Sequence, residues 1–248
     1  MKLLTGMTVL TISILTLSQQ VNAAIALDRT RVIFDGENKS ISVNITNQNS
    51  ELPYLAQGWI EDVGGNKIES PLVVLPPLQR VEPDAKSLVK IQALPAINSL
   101  AQDRETVFYF NLREIPPKSD KSNTLQIALQ TRVKLFYRPK AIQVSQNDYA
   151  NPWQKKLTLT KVGDRYRVNN PTPYYVTLAA VRPSVNAKDI DGFNPIMIAP
   201  RGAETLEVNA AALGNSPVIS YINDFGGRPK LIFTCNGANC TVKENQPG

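Results

Sequence analysis

The chain has 248 residues, with 27 Lys and Arg against 21 Asp and Glu, a net charge of +6, and no histidine. That balance is too even for a dedicated nucleic-acid surface and suits a partner bearing carboxylates. The missing histidine excludes Ser-His-Asp and Cys-His hydrolases and His-ligated metals, and it removes the commonest general base. Only carboxylate chemistry of the glycosidase kind remains open to an enzyme, so the chain is read as non-enzymatic, with no cofactor and no metal site.

Lys2 precedes an apolar run over residues 3–17, and Val21-Asn22-Ala23-Ala24 supplies small residues at its end. A charged start, an apolar middle and a small-residue cut define a secretory signal peptide. Cleavage is placed after Ala23, making residues 1–23 the leader. The run is too short and wrongly flanked for a membrane span. The expected product is exported and soluble.

Beyond the cut, apolar residues recur with period two. Ile41, Val43 and Ile45 alternate with Ser42, Asn44 and Thr46. The stretches 55–60, 88–91 and 107–110 also read as strands, with Asn47–Asn49, Gly64-Gly65-Asn66 and Pro76-Pro77 as breaks. The next segment, 123–138, raises a question. Leu125, Ile127 and Leu129 form an apolar comb on one side of a strand, and Arg132, Lys134 and Arg138 follow on the same run. A core strand has no use for the charge; a solvent-facing edge should not carry the comb.

The pattern lapses between Arg138-Pro139 and Pro152, the best linker candidate. A second strand series covers 156–162, 166–168, 174–181, 205–208, 218–222 and 231–235. No long helical period appears. The chain is therefore all-β, and each half, at roughly 100 residues with about seven short strands, has the size of an immunoglobulin-like sandwich. A single barrel is the alternative. Both cysteines, Cys235 and Cys240, fall in one short stretch, which after export reads as a local disulfide across a turn. Two thiolates without histidine make only half a zinc site.

Four blocks carry a family resemblance: Leu27-Asp-Arg-Thr-Arg31-Val-Ile-Phe34, Asn111-Leu-Arg-Glu-Ile-Pro-Pro117, the segment from Gln126 through Pro139, and Ile222-Asn-Asp-Phe-Gly-Gly-Arg-Pro229. They resemble the PapD-like periplasmic pilus chaperones, most closely those of P-pilus type. The resemblance implies two immunoglobulin-like domains, 24–143 and 144–248, in a boomerang with a cleft between them. It implies a periplasmic chaperone that binds, folds and caps pilus subunits, pilins and adhesin alike, and delivers them to an outer-membrane usher. In that family the chaperone lends a strand to a subunit that lacks one, a known instance of strand addition.

On that resemblance the comb has a task. Leu125, Ile127 and Leu129, on a lent strand over 123–138, would fill the groove in the subunit. Each large side chain gains about 1.5–3 kcal/mol on burial. Arg31 and Lys134 would hold the subunit's C-terminal carboxylate, an acceptor suited to a guanidinium and an ammonium. Lys134, however, has the parity opposite to the comb, so on a plain pleat it points to the other face unless a bulge intervenes. Glu105, Arg138 and Asp224 would form a charged network joining the domains. Pro76-Pro77 would form a lid, with a cis bond. Lys118–Ser122 would be a polar loop, mobile without a subunit. Free chaperones could also self-associate through the donor strand. Two other classes compete: a pilin or adhesin, which would need its own donor segment before the first strand, and a carbohydrate-binding sandwich, which would need clustered carboxylates and exposed tryptophans.

Overall fold

The structure is a computed structural model that describes residues 23–120, 123 and 125–248. The leader lies outside the described residues except for Ala23, and the 118–122 loop is described only in part.

The first half folds as two sheets around one core. One sheet orders the strands Ile25–Leu27, Ser40–Asn47, Lys86–Ala93 and Leu72–Leu75. The other orders Arg31–Asp35, Gln130–Arg138, Thr106–Ile115, Tyr54–Glu61 and Lys67–Ile68, with Leu78–Val81 also paired to Tyr54–Glu61. Alternation decides what faces inward. Val43, Ile45, Val89 and Ile91 from the first sheet bury against Val32, Phe34, Ile60, Phe110 and Leu135 from the second. The second half pairs eight strands in one continuous ladder around its own core, which includes Leu159, Val168, Leu178, Leu206, Tyr221 and Phe233. The fold is all-β, as the periodicity implies, with two sandwich-like domains rather than a barrel.

The break at Pro76-Pro77 separates two short strands, Leu72–Leu75 and Leu78–Val81. The Leu75–Pro76 bond is cis, as is Ser70–Pro71. The linker is more ordered than its composition implies. Gln146–Ala150 forms one helical turn, and Asp148 accepts from the backbone N–H of Ser145 at 2.8 Å. Pro152 opens a 3₁₀ turn over Trp153–Lys156. Cys235 and Cys240 stand opposite each other on a hairpin and are disulfide-bonded.

One strand needs correction. The donor strand expected over 123–138 is regular only from Gln130 to Arg138. Its antiparallel ladder with Thr106–Ile115 runs from Tyr137↔Thr106 to Gln130↔Arg113, and the N–H of Glu114 still donates to the Leu129 carbonyl at 3.0 Å. Beyond Ile115 come Pro116 and Pro117, which have no N–H to donate, so the ladder stops. On its other side, Gln130–Arg138 pairs in parallel with Arg31–Asp35, but only from Lys134 to Arg138. From Val133 back to Leu125 that edge has no strand partner among the described residues.

Candidate functional site

The Gln130–Arg138 ladder holds its register without a bulge. Val133, Leu135 and Tyr137, the odd positions, face the first domain's own core. The comb has the same parity in sequence but lies N-terminal to the regular strand. Leu125 is 83% exposed and Ile127 59%, while Leu129, closest to the ladder, is half-buried. Large apolar groups held in water on an unpaired edge are a surface that asks for a partner.

The even positions face the other way, and the three cations there meet different fates. Arg132 is satisfied within its own sheet: Nε donates to Glu61 Oε2 at 2.8 Å, and the guanidinium lies 3.5 Å from the Tyr109 ring centroid. Arg138 is fully buried between the domains. Its Nε donates to Glu105 at 2.9 Å and its Nη1 to Asp224 Oδ2 at 2.8 Å. The guanidinium also lies 5.3 Å from the Trp153 ring centroid and 5.1 Å from that of Tyr174. Glu105 accepts again from the backbone N–H of Tyr175 at 2.7 Å. Glu105, Arg138 and Asp224 thus join the two halves.

Burial pushes the Glu105 carboxyl up to about 7 against the pull of Arg138. Burial pulls the Arg138 guanidinium down, but Asp224 and Glu105 outweigh it and leave it above its ordinary value. The two shifts point opposite ways about the pair. The donors on Glu105 decide for the ionised form: two guanidinium nitrogens and a backbone N–H converge on its oxygens.

Lys134 is different. It stands beside Arg31 on the neighbouring parallel strand. Arg31 is 8% exposed; Nη1 donates to the Ile222 carbonyl at 3.2 Å, and Nε is buried with no partner. Lys134 Nζ donates to Thr177 Oγ1 at 3.1 Å. Thr177 and Ile222 are themselves register partners in the second domain. Two adjacent cations of one domain therefore face two adjacent neutral acceptors of the other. Among the described residues, no carboxylate forms an ion pair with either cation. Burial, and then the Arg31 charge, pull the Lys134 ammonium down to about 8. Burial likewise lowers Arg31, against Asp224 and Glu105. An open cavity of about 330 Å³ lies at Arg31, lined also by Thr30, Asp35, Tyr149, Asp224 and Phe225. Asp28 also lines that cavity and Lys134 does not; two crowded cations and an unpartnered buried N–H are what an anion placed between Arg31 and Lys134 would satisfy.

The sequence did not point to Thr177, the Ile222 carbonyl, Trp153 or Tyr174. Their roles depend on how the domains dock, and no local pattern marks them.

Comparison with known proteins matches residues 24–143 to the family described as "Pili and flagellar-assembly chaperone, PapD N-terminal domain", and residues 152–233 to "Pili assembly chaperone PapD, C-terminal domain". Among curated relatives, Chaperone protein PapD of Escherichia coli is 51% identical over 91% of this chain and 92% of that protein. The probable fimbrial chaperone YfcS of Escherichia coli K12 is 52% identical over 90% and 88%. Among solved structures, the Salmonella enterica SafB chaperone in complex with SafA pilin aligns with a TM-score of 0.71 at 26% identity, over 88% of this chain and 99% of that one. The CupB2 chaperone of Pseudomonas aeruginosa aligns at 0.68 and 30%, over 85% and 100%.

Proposed function

The chain belongs to the PapD family of pilus-assembly chaperones, a non-enzymatic class, and we propose how it takes hold of a pilus subunit. The comb Leu125, Ile127 and Leu129 enters the groove of a subunit that lacks a strand, and the open edge from Leu125 to Val133 pairs with the subunit's backbone. Arg31 and Lys134 receive the subunit's C-terminal carboxylate. The observation that carries the reading is the adjacent pair of buried Arg31 and half-buried Lys134, neither with an ion-pair partner among the described residues, beside the strand that leads to the exposed comb. Fixing the chain end sets which subunit residue meets which comb position. Lys134 and Leu125 are nine positions apart, so at about 3.3 Å per residue the anchor and the far end of the comb are separated by roughly 30 Å.

The remaining parts follow from the same reading. Residues 1–23 act as the export leader, 24–143 as the subunit-holding domain and 144–248 as the domain that completes the cleft. Glu105, Arg138 and Asp224 hold the two domains in the orientation that forms the anion site. Handover goes to an outer-membrane usher, from the periplasm. Without a subunit, two chaperones cap each other's exposed combs, which sedimentation over a concentration series checks. A pilin is the weaker alternative: the first strand, Ile25–Leu27, has only three residues and is already paired in its own sheet.

The test is recovery of subunits. Arg31→Ala and Lys134→Ala should leave folded, monodisperse protein that no longer protects co-expressed subunits from proteolysis. Charge-assisted hydrogen bonds of about 1.5–3 kcal/mol each are lost. Protection at wild-type level by both variants overturns the anchor.

A further inference from the structure

Glu114 is a buried carboxylate without an ion-pair partner among the described residues. It is 5% exposed, on the Thr106–Ile115 strand. Its Oε2 accepts from the backbone N–H of Ile25 at 2.8 Å. Its own N–H donates to Leu129 at the root of the comb. Two elements therefore meet at Glu114: the first strand of the fold and the start of the donor segment. None of the ion pairs among the described residues includes it. A buried carboxylate calls for a counter-charge or further donors.

We propose that the α-ammonium freed at Ala24 by cleavage after Ala23 is the counter-ion of Glu114, so that export processing completes the joint between the first strand and the root of the comb. Ala24 precedes Ile25, a step of at most about 3.6 Å along an extended chain. Its carbonyl is already fixed by the N–H of Gln48 at 2.7 Å, so its nitrogen is held near the carboxylate. Ala24 and Glu114 line the same open cavity of about 320 Å³, together with Ala23, Tyr54, Ile127 and Leu129. Tyr54 is the other titratable group in that lining. Before cleavage the Ala24 nitrogen is a neutral amide, and Ala23 lines the same cavity as Ile127 and Leu129. After cleavage the same nitrogen carries a unit charge and three N–H donors.

The test needs no subunit, so its failure is distinct from failure of the anchor. Intact mass of the exported protein should give a chain starting at Ala24. Reductive ¹³C-methylation labels the α-amine, and its NMR shift is followed against pH. Its pKa should lie about one unit or more above that of the same label in the urea-unfolded chain, because a buried opposite charge favours the ammonium. In Glu114→Gln the difference should vanish. The raised group stabilises the fold fully below the unfolded value, and this is lost as pH rises through the folded value. The melting-temperature advantage of wild type over Glu114→Gln should therefore shrink or reverse between pH 7 and 10. A chain starting at another residue, or an α-amine with the same pKa folded and unfolded, overturns the proposal. If Glu114→Gln does not fold, the wild-type titration decides alone.

Discussion

Between Leu125 and Leu129 the chain holds large apolar side chains in or near water; between Lys134 and Arg138, a few residues on, it holds one charge half out of water and one fully out of it. Ordinary burial runs the other way. The two regions differ again in how they are completed. Arg138 finds Glu105 and Asp224 inside the chain, so its end of the strand is finished. Among the described residues the comb finds no strand partner on its open edge, and the Arg31–Lys134 pair finds neutral acceptors but no carboxylate. A buried charge with ion-pair partners reads as architecture, whereas a cation pair drawn out of water without a carboxylate, beside an exposed comb, is the arrangement on which the binding proposal rests.

The sharpest way to break this contrast is at its finished end. Arg138→Ala strands Glu105 and Asp224, whose side chains are 2% and 12% exposed. Leaving buried charges unpaired costs about 3–5 kcal/mol. Denaturant unfolding should show that loss. The deficit should also depend on pH. Burial raises Glu105 and Arg138 opposes it; a raised carboxyl loses stability as pH climbs above its unfolded value, and removing Arg138 enlarges that loss. Without Arg138 the carboxyl rises further, and the variant should lie nearer wild type at pH 5 than at pH 8. A loss under about 1 kcal/mol at pH 8 would place Arg138 among ordinary surface ion pairs.

The unfinished end should respond in the opposite sense. Ile127→Asp adds a charge to a side chain that is already 59% exposed, so the melting temperature should move by no more than about 2–4 °C. In the complex the same carboxylate would be buried unpaired, which should cost roughly 3 kcal/mol or more of binding. A core strand loses folding; a lent strand loses only binding. A melting temperature that collapses as for a core substitution would return the comb to the domain's own interior.

Much of this contrast is legible in the sequence, because the period of a strand is two. The parity of Leu125, Ile127 and Leu129 against Lys134 separates two faces on an ideal strand, and the ladder from Gln130 to Tyr137 runs without a bulge. What the sequence hides depends on partners far away along the chain. Asn239–Gln246 is polar enough to escape notice, yet it is a strand because Lys230–Asn236 pairs with it through a hairpin. The comb's loss of regular strand follows from Pro116-Pro117 on the neighbouring chain segment rather than from its own residues. Thr177 and the Ile222 carbonyl become acceptors for the cation pair only once the domains dock.

The finest test uses the titration of Lys134. Burial and the Arg31 charge hold its ammonium near 8 in the free protein. A carboxylate placed between the two cations would favour the charged form and raise that value. The affinity for a peptide carrying the subunit's free C-terminus should be flat below about pH 8. Above it, affinity should fall by about tenfold per pH unit until the bound value is reached. Lys134→Arg should remove the dependence, since a guanidinium does not titrate there, and a C-terminally amidated peptide should bind weakly at every pH. The free protein should show the opposite slope. Its folded lysine binds protons less tightly than an unfolded one, so between about 8 and the ordinary lysine value of 10.5 this group makes the fold more stable as pH rises. One residue would then make the chaperone steadier and its grip weaker over the same interval. Affinity that stays level from pH 8 to 9.5 would detach Lys134 from the carboxylate, whatever the mutants do.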